Sequence, residues 1–269
     1  MIAPSFAETF LLNVEPVDSL VNQVSAIMPD VVVNTIALTN VDKCELNPIL
    51  AYKSNVNTAA NIALACKKLD IPLVHFSTDH LFAGESLYTT ENSICSPLNT
   101  YGNTKLQAER VVAECWAKSL IVRTNFYGWG TSYRQSFTDR VLNSLQSGET
   151  FSAFNDVFFT PVLIEDLVSV VNCLIDLEVF GVYNIVSDKR VSKHDVALSV
   201  ARIFDFRESL IKSASIDHAT SLVSRPKDMS LSNLKVCSLI KRKLGSVEEG
   251  ILKLKHQQTI PLYQELRNL

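Results

Sequence analysis

The sequence predicts an α/β protein: a doubly wound parallel sheet with helices on both faces, joined to a smaller mixed α/β region. Three observations carry this. Short apolar, largely β-branched runs at 31–36 (VVVNTI), 71–77 (IPLVHFS) and 119–124 (SLIVRT) lack polar alternation, as strands covered on both faces do. Segments with helical apolar spacing separate them. The order helix, strand, helix, strand, helix, strand, joined by right-handed crossovers, builds a parallel sheet.

Each element has a local reason. Over 17–28, Val17, Leu20, Val21, Val24, Ile27 and Met28 line one side of a helix that Pro29-Asp30 ends. Residues 48–69 read as a long helix opened by Pro48. Gly84, Pro97 and several Ser, Thr and Asn make 84–98 a loop. Asn99 or Thr100 caps a helix running to about Ala117. Ligands of such sheets bind beyond the carboxyl ends of the strands. Thr35-Ile36-Ala37, Ser77-Thr78-Asp79 and Arg123-Thr124-Asn125 fall there.

After about residue 125 the composition changes. Phe126, Tyr127, Trp129 and Tyr133 cluster and read as core and pocket wall rather than a stacking platform for nucleic acid. Helices are expected at 134–147 (ended by Gly148), 164–177 and 192–205, with strands at 151–162 (stopped by Pro161) and 182–186. The last 60 residues are mixed. The expected division is a dinucleotide-binding core at 1–150 and a mainly substrate-binding region at 151–269, interleaved with that core.

Composition narrows the function classes. Apolar residues are 47% and charged residues 20%, which is globular rather than disordered. A net charge of −3 gives no sign of a basic nucleic-acid face. No apolar run approaches the roughly 18 residues that span a membrane. The first basic residue is Lys43, so the start resembles neither a signal nor a transit peptide, and a cytoplasmic location is expected. The six cysteines form no metal-type cluster, and His75 and His80 lack ligand spacing, so no metal is expected. Glycine is scarce: 8 in all, the first being Gly84, so residues 1–83 hold no Gly-rich phosphate loop.

The chemistry-bearing pattern is Tyr101 and Lys105, four apart at the start of a helix and therefore on one face. A free tyrosine has a pKa of about 10, and a neighbouring cation lowers it toward a usable acid or base. Thr78, at the end of the preceding strand, can hydrogen-bond the same reacting oxygen. The trio suits proton transfer to a carbonyl while hydride arrives from a nicotinamide. The spacing alone is a weak signal; its position behind a buried strand ending in Ser-Thr-Asp sharpens it.

On these residues the sequence resembles an extended short-chain dehydrogenase/reductase of the dTDP-4-dehydrorhamnose reductase group. The matching strings are PDVVVNTIALTNVDKCE (29–45), LVHFSTDHLF (73–82), PLNTYGNTKLQAE (97–109), IVRTNFYGWG (121–130), NDVFFTPV (155–162), GVYNI (181–185) and RPKDMSLSN (225–233). The resemblance implies a Rossmann-type sheet and reduction of a 4-keto sugar nucleotide by NADP or NAD. It implies catalytic roles for Thr78, Tyr101, Lys105 and a supporting Asn55. Cofactor contacts would come from Ile36, Ala37, Ser77, Tyr101, Lys105, Thr124 and Asn125. Substrate contacts would come from Thr39, Asp79, Asn125, Phe126 and Arg225, the last toward a nucleotide phosphate. Arg123 would lie near the nicotinamide. Lys105 would lower the Tyr101 pKa. Family-like homodimers would pair through helices 48–69 and 99–117.

The family opens with a strand, a Gly-rich turn and a helix that hold the cofactor pyrophosphate. This chain begins its match later, with FLLNVEPVDSL (10–20) aligned before the third strand, Asn13 falling where an Asp near the adenine is common. The sheet is therefore expected to be incomplete at its N-terminal side. Three expectations follow: an N-terminally shortened reductase; a non-catalytic scaffold or regulatory subunit, like the β subunit of methionine adenosyltransferase, with residues 1–16 as a substitute strand; or an enzyme with a remodelled, weaker cofactor site.

Overall fold

β-Branched runs and amphipathic helices alternate in the computed structural model, which describes residues 12–131, 134–219, 223–261 and 263. α1 (Val17–Ile27) leads to β1 (Val32–Asn34). A helical stretch follows: α2 (Val41–Leu46), α3 (Pro48–Tyr52), a π-helical turn at Lys53–Asn57, and α4 (Thr58–Leu69). Next come β2 (Leu73–Phe76), α5 (Thr100–Cys115), β3 (Ser119–Arg123), β4 (Phe126–Tyr127) and α6 (Phe137–Gln146). β5 (Phe151–Phe154), β6 (Phe158–Phe159), β7 (Val162–Leu163), α7 (Ile164–Asp176) and β8 (Gly181–Asn184) continue the chain. β9 (Val191–Ser192), α8 (Lys193–Ile203), β10 (Ile211–Ala214), α9 (Leu234–Ile240) and α10 (Val247–Gln257) complete it.

The main sheet has the order β1-β2-β3-β8, all parallel. The 182–186 strand therefore completes the sheet begun in the N-terminal half. Register sets Asn34 beside His75 and His75 beside Ile121. One face, with Leu73 and Ile121, packs on α1, α4 and α5 through Leu20, Val24, Ile62, Ala108 and Val112. The other, with Val74, Leu120 and Val122, packs on α7 and α9 through Leu167, Val170, Leu174 and Val236. A second core joins α6, α8 and α10 around Val141, Leu145, Val200 and Ile251. There β5 pairs with β10.

Among the described residues the sheet ends at β1, where Val33 is 47% exposed. A strand of buried type thus stands at an edge. The reading of residues 1–16 as a substitute strand falls mostly on 1–11, outside the described residues, as does Tyr133; residues 12–16 form no strand. α2 was not foreseen: Asn40 caps it by accepting from the Lys43 N–H, only eight residues before Pro48 opens α3. Among the described residues no helix is long and apolar enough to cross a membrane. None of them forms a group of three or more His, Cys, Asp or Glu able to hold a metal.

Candidate active site

The site forms where the carboxyl ends of β1, β2 and β3 meet the N-terminus of α5. Asn99 caps α5 by accepting from the Gly102 N–H at 2.9 Å, which fixes the turn carrying Tyr101. Gly102 is required there. A Cβ would collide with the His80 carbonyl oxygen and come within 2.9 Å of Pro97 Cβ. Its absence lets α5 approach the end of β2 and brings Tyr101 against His80, edge to face at 5.6 Å.

Tyr101 is buried, and burial pushes its phenol up to about 12. The Thr78 hydroxyl opposes that rise by hydrogen bonding to the phenol, and Arg134 opposes it by charge. The sequence-based expectation that Lys105 lowers the Tyr101 pKa is not met in the ligand-free structure. Lys105 turns toward β2, where Nζ donates to the Phe76 carbonyl at 2.6 Å and lies 3.5 Å from His75 Nε2. Burial pushes the Lys105 ammonium down to about 8, against the pull of Glu109.

Asn55 sits in the π-helical turn and is fully buried. Such turns redirect a side chain out of the regular helical register. Asn55 accepts from the Leu38 N–H at 2.7 Å, and its amide donates to the Leu38 carbonyl at 3.2 Å and to Thr104 Oγ1 at 2.9 Å. It clamps the loop after β1 to α5.

The other expected residues divide. Asp79 is buried and accepts from Asn125 Nδ2 at 2.8 Å, so these two meet. Ile36 and Phe126 are about half exposed, Ala37 is partly exposed, and exposed Thr39 accepts from Arg134 Nη2 at 3.0 Å. Ser77 Oγ, just after β2, is buried with no partner among the described residues. Arg225 donates to Asp42 at 2.6 Å, while its buried Nε has no partner among the described residues. Two residues do not reach the cleft as free groups. The Thr124 hydroxyl is spent on the Ile185 carbonyl at 2.7 Å. Arg123 is turned into the core, where it pairs with Glu109 through Nη2 at 2.7 Å. Successive side chains leave a strand on opposite sides, and here both sides are covered: Arg123 meets α5 and Thr124 meets the residue after β8.

Sequence reasoning missed Lys193, Arg134, His80 and the Asn34–His75 pair. Lys193, at the start of α8, holds its ammonium 4.4 Å from the Phe159 ring and 5.4 Å from the Phe137 ring, with no carboxylate at ion-pair distance among the described residues. Burial pushes it down to about 8, with Asp79, Arg140 and Arg225 acting on it by charge. The signal for Lys193 in the sequence was Ser-Lys-His-Asp, a helix start following Ser192. For His80 it was the string Thr78-Asp79-His80; its buried Nδ1 is unpartnered.

Comparison with known proteins accords with this geometry. A probable low-salt glycan biosynthesis reductase of Haloferax volcanii is 30% identical over 202 residues, covering 74% of this chain and 67% of that protein. The dTDP-4-dehydrorhamnose reductase of Salmonella typhimurium is 34% identical over 188 residues, covering 68% of this chain and 61% of its own length. This chain thus spans about two thirds or less of these relatives. The methionine adenosyltransferase 2 subunit beta of Rattus norvegicus is 26% identical over 243 residues, covering 88% and 72%. The crystal structure of dTDP-4-dehydrorhamnose reductase from Bacillus anthracis in complex with NADP superposes with a TM-score of 0.85 at 26% identity, covering 92% of this chain and 87% of that one. The RmlD substrate binding domain family matches residues 2–259, and the chain belongs to that family of extended short-chain dehydrogenase/reductases.

Proposed function

We propose that this chain reduces a 4-keto sugar nucleotide with NADPH or NADH. One observation carries the reading: a buried tyrosine at a helix start, near Thr78 at the end of the preceding strand and one turn before a buried lysine. Burial keeps Tyr101 a neutral phenol at pH 7, so it holds the proton that a reduction must deliver. The Tyr101 O–H donates to the carbonyl oxygen as that oxygen gains negative charge. Thr78 orients the carbonyl by a second hydrogen bond.

The strand-end residues fit the nicotinamide half of a cofactor. Ser77 offers there a buried hydroxyl with no partner among the described residues. When bound, the nicotinamide supplies the hydride. The buried Arg225 Nε and the Lys193 ammonium suit the diphosphate of a sugar nucleotide. Asp79 holds Asn125 in the wall between them.

The test has two stages. Titration of the folded protein with NADPH and NADH should saturate, and a 4-keto sugar nucleotide should then be turned over. Tyr101→Phe should cut turnover by about 10²–10⁴-fold with cofactor binding retained. Full turnover by Tyr101→Phe would refute the assignment. A second reading, a non-catalytic regulatory subunit, draws support from the likeness to the methionine adenosyltransferase 2 subunit beta, 26% identical over 243 residues. It gains if the folded protein binds neither cofactor and copurifies stoichiometrically with another enzyme. Ile49, Leu50 and Tyr52 stand exposed on α3, and we propose that α3–α4 and α5 pair with a second copy. Sedimentation giving a monomer at micromolar concentration would exclude that.

A further inference from the structure

Asn34, His75 and Lys105 are all buried and linked edge to edge through β1, β2 and α5. Their hydrogens can be assigned by elimination. Asn34 Oδ1 accepts from the Ile36 backbone N–H at 3.0 Å, and only an oxygen can meet that donor. The amide nitrogen therefore faces His75, and Asn34 Nδ2 donates to His75 Nδ1 at 3.0 Å. Nδ1 must carry a lone pair, so the neutral ring carries its hydrogen on Nε2. That hydrogen faces Lys105 Nζ at 3.5 Å. An ammonium there sets donor against donor. A free amine resolves the conflict, with one N–H to the Phe76 carbonyl and its lone pair toward His75 Nε2–H.

We infer that His75 is a positioning residue for Lys105: locked by Asn34 as its Nε2–H tautomer, it donates to the Lys105 amine and holds that side chain deprotonated at pH values where an exposed lysine is an ammonium. The bond broken is one N–H of the ammonium: its electron pair stays on Nζ as the lone pair, and the proton is released to solvent. The groups acting on the pair come from three elements. β1 contributes the neutral Asn34, β2 the imidazole itself, and α5 the Glu109 carboxylate, which favours the ammonium but is engaged by Arg123 of β3. Burial acts in the same direction as the tautomer, pushing His75 well below and Lys105 also below its ordinary range. The inference rests on the reductase reading only for its kinetic consequence.

The test uses the whole chain without ligand. In ¹⁵N-histidine-labelled protein, His75, assigned by comparison with His75→Gln, should show a protonated Nε2 and a lone-pair Nδ1 at pH 9, where Lys105 is the free amine. The ¹³Cε resonance of Lys105, assigned by comparison with Lys105→Arg, should titrate with a midpoint near 8. In Asn34→Asp the carboxylate accepts from Nδ1–H, turning a lone pair toward Lys105. Its midpoint should rise by at least about one pH unit, and any alkaline limb of kcat/KM that Lys105 governs should move with it. An Nδ1–H tautomer in the unsubstituted protein, or a Lys105 midpoint at the ordinary value of about 10.4, would overturn the inference even if Asn34→Asp fails to fold. Both spectra are read without turnover, so an inactive protein can satisfy them and an active one can fail them.

Discussion

Glu109→Gln removes one charge from the buried pair that ties α5 to β3. Arg123 Nε donates to Glu109 Oε1 and Oε2 at 3.0 and 3.1 Å, and Nη2 donates to Oε2 at 2.7 Å. The two side chains are 6% and 5% exposed, so water cannot replace the lost carboxylate. Apart from Glu109, the described residues give Arg123 a 3.3 Å hydrogen bond to the Glu91 carbonyl and a 3.6 Å contact to Cys95 Sγ. Breaking a buried pair on one side costs about 3–5 kcal/mol. Glutamine retains one acceptor, so a loss of about 3 kcal/mol is expected, or about 6–12 °C in Tm. Asp70→Asn, which breaks the exposed Lys118–Asp70 pair at 2.8 Å, is the control and should cost at most about 1 kcal/mol. Urea unfolding followed by circular dichroism measures both. Equal losses in the two variants would refute the argument that desolvation sets the cost. The same substitution removes the charge that favours the Lys105 ammonium, so the Lys105 midpoint should fall below 8.

Lys105 has a folded pKa near 8 against 10.5 for the free side chain, so its burial penalty is complete below about 8 and vanishes above about 10.5. Compared with Lys105→Met, the unsubstituted protein should therefore gain about 2–3 kcal/mol of stability between pH 7 and 10.5, and a pH-independent difference would contradict the depressed value. Gly102→Ala forces a methyl group against His80 and Pro97 and should cost about 1–3 kcal/mol in chemical denaturation, with no change expected if the α5 approach is looser than described. Lys193→Gln should raise KM for a sugar nucleotide about tenfold with kcat nearly unchanged; an unaltered KM would remove Lys193 from the binding surface.

Local signals made part of this molecule legible. VVVN, LVHF and SLIVR are short, mostly apolar and preceded by Asp, Pro and Lys, and each is a parallel strand without regular polar alternation. Asn99 announced α5 for the same reason that it caps it. Tyr101 and Lys105 share a helical face, as their spacing requires, yet a shared face did not fix the direction of the lysine. The Phe76 carbonyl and His75 decide that, and they belong to a strand whose register against β1 no spacing rule encodes. Thr124 and Arg123 show the same limit. Their position after a strand suggested the cleft, but the elements covering both sides take them, at Ile185 and Glu109. Lys193 and Arg134 come from segments remote in sequence, and only the packing of α8 and the loop before α6 onto the strand ends reveals them.

Many of the hydrogen bonds of the site join its own residues to one another. Asn34, His75, Lys105 and the Phe76 carbonyl form one chain; Asn55, Leu38 and Thr104 form another; Asp79 with Asn125 and Asp42 with Arg225 complete the walls. None of these contacts calls on a glycine loop. The proton-handling geometry and the grip on a cofactor's diphosphate are therefore separable quantities in this chain. Backbone N–H groups of a glycine turn contribute chiefly to binding, equally before and in the transition state, whereas Tyr101 contributes where charge develops. A weakened grip on the diphosphate is therefore expected in the concentration of NADPH or NADH needed for half-saturation rather than in the rate at saturation. Weak but saturable cofactor kinetics would fit a catalytic half that holds its geometry unaided. A normal half-saturation with a collapsed rate would mean that these hydrogen bonds hold the residues in an arrangement that does not react.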